Sequence, residues 1–389
     1  MNRHQTLDPN GARRTACTHE QISSRGNRKP VNLALQGGGA HGAFAWGVLD
    51  KLIEDDRLAV DAISATSAGA MNAVAMAIGM SEGGRDGARE KLQDFWRAVG
   101  LKGRFSPIQR TPLDMLLGNW SVANNPAYLW LEFLSRTISP SMANPLGINP
   151  LRDVVEAEID FERVRGCRAL ELFISATNVE TGKLTVFDHR QLDIDHVMAS
   201  ACLPTIFPAV EIDGVPYWDG GYGGNPALYP FFYANGVEDV LLVQINPILR
   251  PGAPATAREI QNRIDEITFN AALLRELRAI AFVKKLLENG NVDHRQYRDI
   301  RMHRIDADEA LAGLSADSKV SAEWEFLKYL RDLGRAAAED WLEEGAANVG
   351  HKPGIDLSDE LEAGMEPAGR RTLGRRVRDF LAGHRRPRT

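Results

Sequence analysis

Cysteine is scarce in this chain, with three residues in 389: Cys17, Cys167 and Cys202, widely and irregularly spaced. That number and spacing yield neither a disulfide framework nor a zinc pattern, and they point to a reducing compartment. Long hydrophobic runs are missing as well. The richest apolar stretch, residues 68–80, falls short of the roughly 18 residues that span a bilayer. Residues 1–21, MNRHQTLDPNGARRTACTHEQ, hold no apolar signal core. A cytoplasmic protein is expected. No G-K-[ST] follows the glycine-rich stretch, which excludes a P-loop. No calcium-loop or nucleic-acid motif is present either, so no metal, cofactor or nucleic-acid partner is expected. Oligomeric state is left open.

What the chain does have is an ordinary globular balance, 44% hydrophobic and 25% charged, in a length that fits one large domain or two ordinary ones. Its net charge of -6 hides an asymmetry. Residues 1–30 carry six bases against two acids, and residues 367–389 carry eight arginines against Asp379. Two basic tails therefore flank an acidic body. Solvated flexible ends are the plain meaning; attraction to an anionic surface such as lipid headgroups or granules is the functional one.

Five short runs read as buried strands because they are apolar on both faces: VNLAL (31–35), DAISAT (61–66), LELFISAT (170–177), LTVF (184–187) and VLLVQI (240–245). Helical patterns alternate with them. Phe44, Val48 and Leu52 recur at helical spacing, and the Ala/Met-rich 68–80 follows the second strand. This βαβα order predicts an α/β fold with a mainly parallel sheet and its chemistry at the carboxyl ends of the strands. Residues 106–150 mix Pro and Asn turns with a short amphipathic helix carrying Trp130, Phe133, Leu134 and Ile138 on one face. They read as a cap over the site. Trp120, Tyr128 and Trp130 suit either core packing or an interfacial flap touching lipid over 120–138. Further on, Ile260, Ile264, Ile267, Ala271 and Leu274 form a helical stripe expected to pack or dimerise. A last helix, from Ser321 to about Glu344, carries Leu327, Leu330, Ala337 and Trp341 on one face.

Three short motifs bear on chemistry. LALQGGGAHGAF (33–44) places Gly37, Gly39 and Gly42 in G-x-G-x-x-G between a strand and a helix, the dinucleotide-binding pattern. That reading wants an acid at the end of the next strand, where this chain has Thr66 and Ser67 instead. Ala65-Thr66-Ser67-Ala68-Gly69 has the layout of a nucleophile elbow, in which a tight turn with small flanking residues projects a hydroxyl above the sheet. Ala65 stands where glycine is usual. A helix N-cap would explain the serine equally well. Acyl transfer from an ester also needs N–H donors for the developing oxyanion, and Gly37, Gly38 and Gly39 at a helix N-terminus offer them. The base is less obvious, since none of the histidines beyond residue 219 (His294, His303, His351 and His384) lies in a recognisable motif. Asp219, in the turn Asp219-Gly220-Gly221, can take a serine proton directly, although such a turn is common for structural reasons alone.

Together, strand-GGGAHG-helix, strand-ATSAG-helix and a later DGG, preceded by ASACLPTIFPAVEIDG at 199–214, resemble the patatin-like phospholipase family from about Val31 to about Pro247. The resemblance implies a three-layer α/β/α lipid acyl hydrolase with a Ser/Asp dyad and no catalytic histidine or metal. Carried onto this chain, it makes Ser67 the nucleophile, Asp219 the base, and the amides of Gly37 to Gly39 the oxyanion hole. Gly42, Ala65, Gly69, Gly220 and Gly221 would shape those turns. His41 stands where the family generally has Arg or Lys, and would be charged only at lower pH. The expected organisation is a basic tail over 1–30, the hydrolase domain over 31–247, a helical extension completing it over 248–350, and a basic tail over 351–389. The substrate is expected to be a lipid or acyl ester, a phospholipid or lysophospholipid in the first instance. A stored polyester hydrolysed by the same fold stays open, as does a decayed site that only binds membranes or granules.

Overall fold

In the computed structural model, the described residues are 26–234, 236–250, 252–294, 297–306, 311, 313–357 and 375–384. The N-terminal tail up to residue 25 and much of the C-terminal one lie outside them.

One sheet of eight strands organises the chain. The strands are β1 (Lys29–Leu35), β2 (Leu58–Ala65), β3 (Glu171–Asn178), β4 (Leu184–Asp188), β5 (Val210–Ile212), β6 (Val215–Asp219), β7 (Asp239–Gln244) and β8 (Arg301–Asp306). Neighbours β3, β2, β1, β7 and β8 run parallel, while β4, β5 and β6 attach antiparallel at the β3 side. All five apolar runs are strands. β8 went unread in the sequence because RMHRID is half charged; its Met302, His303 and Ile305 are nevertheless buried.

Alternation along the strands separates two cores. Val31, Leu33 and Leu35 of β1 join Leu241 and Val243 of β7 on one face. Ala34, Val240 and Leu242 point to the other. Helices α1 (Gly42–Asp55), α2 (Ala68–Gly103) and α6 (Trp324–Glu344) cover the first face, with Phe44, Val48, Leu327 and Leu330 buried there. The second face is covered by α5 (Ala257–Glu288) through Leu273, Leu277 and Ile280. The result is a three-layer α/β/α arrangement. Helix α2 leaves helical geometry at Gly83 and Gly84, where the chain turns sharply enough to bring Gly79 against Gly87.

The start of the stripe expected on α5 to pack or dimerise does not pack on the sheet. Ile260, Ile264 and Ile267 are about half exposed, and the helix buries Glu266, Asn270, Leu273 and Leu277 instead. The first turns of α5 lie over a polar end of the sheet, so hydrogen-bonding residues rather than aliphatic ones face inward there.

Within 106–150, helix α3 (Pro126–Thr137) is held to α5 by an Arg258–Glu132 ion pair of 2.9 Å. Trp130 stacks on Phe133, and both stand open to solvent. Trp120 differs from the flap expectation: it packs against Phe326 and Tyr329 with Arg110 over its ring, so it anchors the segment to α6 rather than presenting it outward. Part of the basic C-terminal stretch is a helix, α7 (Arg375–His384), whose first turn bonds to Asp340 of α6 and buries Val377. No helix among the described residues is long and apolar enough to cross a membrane.

Candidate active site

Two facts of strand pairing build the site. β4 occupies one edge of β3 along Phe173–Thr177, so β2 and β6 must share the other edge. β2 pairs with residues 171–174, ending at Ala65 opposite Ile174; β6 enters from the opposite direction and ends with Asp219 opposite Ala176. The chain leaving β2 at Thr66 and Ser67 therefore meets the end of β6 head-on. β5 and β6 are joined by a hairpin at Asp213 and Gly214, both at positive φ, the geometry that matches the twist of the paired strands.

Ser67 sits at φ 55, ψ −121 between β2 and α2, a conformation unfavourable for a side-chain-bearing residue. Its N–H donates to Ser200 Oγ at 2.9 Å, and the Gly69 N–H reaches back to the Thr66 carbonyl at 2.9 Å. Ser200 closes α4 (Ile194–Ser200). The Ser67 side chain does not cap α2. The capping alternative for this serine therefore fails on geometry, and the turn is the strained elbow that the motif describes. Ala65 is fully buried, and a side chain at Gly69 would strike the Leu35 carbonyl.

Asp219 is 1% exposed. Burial pushes its carboxyl from an ordinary 3.8 up to about 7, against the opposing pull of hydrogen bonds from the Gly221 N–H and the Ser67 hydroxyl. The Gly221 bond measures 2.7 Å. Gly220 and Gly221 are where added side chains would collide with the Ser175 carbonyl and the Phe269 ring.

The glycine loop stands beside both. A methyl at Gly37 would come within 2.6 Å of Ser67 Cβ, so bare backbone is what lets the loop approach the nucleophile. Gly39 has φ 59, which glycine adopts at little cost. A side chain at Gly42 would meet Ala68 Cβ at 2.5 Å. The expectation of three free amides needs correction. Gly37 N–H is taken by Asn225 Oδ1 at 2.7 Å, whereas the N–H groups of Gly38 and Gly39 have no acceptor among the described residues.

His41 is buried and its pKa falls to about 3, first through desolvation and then through the nearby charges of Lys319 and Arg250. It is neutral at any physiological pH. Its Nε2 lies 2.8 Å from Ser318 Oγ, whose own proton goes to the Ser315 carbonyl, so Nε2 carries the proton and donates. It is thus a neutral tie between the loop and a distant turn.

Several residues that hold this corner carried no motif. Gln36 Oε1 accepts from the N–H groups of Ile245 and Asn246, and Asn246 Nδ2 donates to the Gly37 carbonyl at 2.7 Å. Asn225 and Ser200 fix Gly37 and Ser67 as described. The available signal was position: Gln36, Asn246 and Ser200 are polar residues at the carboxyl ends of apolar elements.

The family model described as "Patatin: Patatin-like phospholipase" matches residues 33–232, just over half of the chain. The chain belongs to the patatin-like phospholipase family. A search of curated proteins finds no match. Among solved structures, VipD from Legionella pneumophila is similar at 14% identity and a TM-score of 0.34, over 78% of this chain and 66% of that one. The chain thus spans just under two thirds of VipD's length. ExoU from Pseudomonas aeruginosa, solved with SpcU, is similar at 16% identity and a TM-score of 0.26, over 92% of this chain and 77% of that one.

Proposed function

We propose that the chain cleaves acyl esters of lipids, of the phospholipid or lysophospholipid kind, through a Ser67/Asp219 dyad and an acyl-enzyme. The observation that carries this reading is the head-on meeting of β2 and β6, which brings a strained serine to a buried carboxyl whose pKa of about 7 suits a base at neutral pH. Asp219 takes the Ser67 proton as Oγ bonds to the ester carbonyl carbon. The N–H groups of Gly38 and Gly39 receive the oxyanion. As the tetrahedral intermediate collapses, the alcohol or lysolipid leaves with the proton from Asp219. Water then gives a proton to Asp219, attacks the acyl-enzyme and releases the fatty acid, restoring the Ser67 hydroxyl. Every proton has a named carrier, so a chelator should leave turnover unchanged.

The 105–148 segment supports contact with a lipid surface. Trp130 and Phe133 on α3, and Leu116, Leu117, Met142 and Leu146 elsewhere in the segment, are exposed, in a stretch whose charged residues are Arg110, Asp114, Glu132 and Arg136. A cytoplasmic protein that binds membranes peripherally through this segment fits that surface.

Fluorophosphonate labelling of the purified protein, with the adduct located by mass spectrometry, tests the dyad. We expect an adduct on Ser67 that Ser67→Ala and Asp219→Asn both abolish. A folded wild type that takes no label would leave only a lipid-binding protein with a silent site.

A further inference from the structure

Burial keeps His41 neutral, so the glycine loop has no cation of its own, yet one ammonium reaches it from far along the chain. Lys319 lies in a short 3-10 turn, Ala316–Val320, packed directly over the loop. The Lys319 carbonyl and Cβ stand against Gly39, and the preceding Ser318 accepts the bond from His41. Asp317 pins the same turn in place by accepting from the Ser121 hydroxyl at 2.6 Å and the Val122 N–H at 2.7 Å. The Lys319 ammonium does not run out to solvent. It donates to Asn246 Oδ1 at 2.9 Å, which settles the orientation of that amide and aims Nδ2 at the Gly37 carbonyl, 2.7 Å away.

The Gly37 carbonyl and the Gly38 N–H are the two ends of one peptide group. A donor on the carbonyl polarises the peptide and strengthens its N–H as a donor, and a full charge behind that donor adds to the effect. We propose that Lys319 is a positioning residue for acyl transfer: acting through Asn246, it orients and polarises the Gly37–Gly38 peptide so that the Gly38 N–H meets the developing oxyanion. This rests on the Ser67 reading above and deepens it by naming what holds the oxyanion loop ready. Burial holds the Lys319 pKa below its usual value; Glu266 and Asp265 of α5 pull it back up, and Arg250 opposes them. Arg250 and Arg263 are themselves paired with Glu266, so the acids are shared.

The test uses the full chain and a soluble p-nitrophenyl ester, which has no phosphate for Lys319 to bind. Lys319→Met should lower kcat about tenfold, less than the loss of a whole oxyanion donor, with KM changed less than about twofold and an unshifted pH profile. Lys319→Arg should recover most of the rate. A drop in kcat with an unfolded or markedly less stable variant, not recovered by Arg, would make Lys319 merely structural. An effect confined to KM for phospholipid vesicles would make it a headgroup contact. Either result overturns the proposal. Glycine-selective amide NMR gives a readout that needs no turnover: the Gly38 proton should move upfield in Lys319→Met and in Lys319→Gln, and an unmoved resonance also overturns it. If the wild type hydrolyses nothing, or Ser67→Ala keeps its activity, the Ser67 reading fails and the Gly38 resonance still decides the role of Lys319.

Discussion

At the corner where β1 and β2 end, Gln36, Gly37, Thr66 and Ser67 are buried; the backbone of Gly37 and Ser67 is tied to Asn225, Asn246 and Ser200, and the Thr66 hydroxyl donates to the Gly224 carbonyl. The segment over 105–148 is the reverse: Phe105 is 89% exposed and Leu146 82%. The first region places few atoms where chemistry needs them and holds each by hydrogen bonds, the arrangement that keeps a site preorganised. The second leaves apolar area uncovered, which costs solubility unless something apolar meets it. The contrast is between an ordered corner, proposed to react, and an open apolar surface, proposed to meet lipid, joined at Asp317 and Lys319. If that division is real, the two regions must fail differently.

The largest effect should come from the corner. Asp219→Asn keeps the shape and removes the proposed base, and turnover should fall by about 10² to 10⁴ on soluble and vesicle substrates alike. The same change should stabilise the fold at alkaline pH. Because the folded carboxyl titrates near 7 rather than 3.8, the native state holds a proton that the unfolded chain gives up, so this group costs stability as pH rises between those values. A melting temperature for Asp219→Asn above that of the wild type at pH 8, converging toward it near pH 4, would confirm that sign. Equal melting temperatures at pH 8 would mean that Asp219 is better solvated than its burial implies.

Next in size is the pH dependence of the wild type. kcat/KM should rise about tenfold per unit below an apparent pKa near 7 and then level off. His41, neutral above about pH 3, should add no limb. A profile flat from pH 5.5 to 8.5 would remove Asp219 as the base and erase the distinction between a reacting corner and an inert one.

Much of the corner was legible in the sequence because it is local. Each of the two strand-turn-helix units lies within a few consecutive residues, and their glycines are required where the two turns press on each other, Gly37 on Ser67, Gly42 on Ala68 and Gly69 on Leu35. Asp219 was a weak candidate from its turn alone and gained weight through the resemblance, since a DGG turn says nothing of the strand it will face. Asn225, Ser200, Asn246 and Lys319 carried no motif: each acts through hydrogen bonds to residues distant in the sequence, and a single polar residue has no period, so position at the end of an apolar element was the signal for Ser200 and Asn246 alone. The start of the α5 stripe does not pack inward for a related reason. Hydrophobic spacing marks the buried face only where the neighbour is apolar, and here the first turns of α5 meet Arg250 and Gln36 through Glu266 and Asn270.

On the exposed segment, Trp130→Ser together with Phe133→Ser should cut hydrolysis of phospholipid vesicles about tenfold, since each exposed aromatic gives up an apolar contact with lipid of about 1 kcal/mol or more. Hydrolysis of a soluble short-chain ester should stay within about twofold. Equal losses on both substrates would place these residues in the acyl site and collapse the two regions into one.

The smallest effect is a control on which apolar residues count. Ile264 is half exposed whereas Leu273 is fully buried against the sheet, although both sit on α5 and both are aliphatic. Ile264→Lys should change unfolding free energy by less than about 0.5 kcal/mol, as surface substitutions do. Leu273→Ala should cost about 2–5 kcal/mol through lost burial and the cavity left behind. If Ile264→Lys also weakens vesicle hydrolysis while sparing the soluble ester, the lipid-facing surface extends from α3 across the Arg258–Glu132 pair onto the first turns of α5. If it changes neither, the exposed isoleucines are ordinary surface, and the lipid contact ends at the edge of the 105–148 segment.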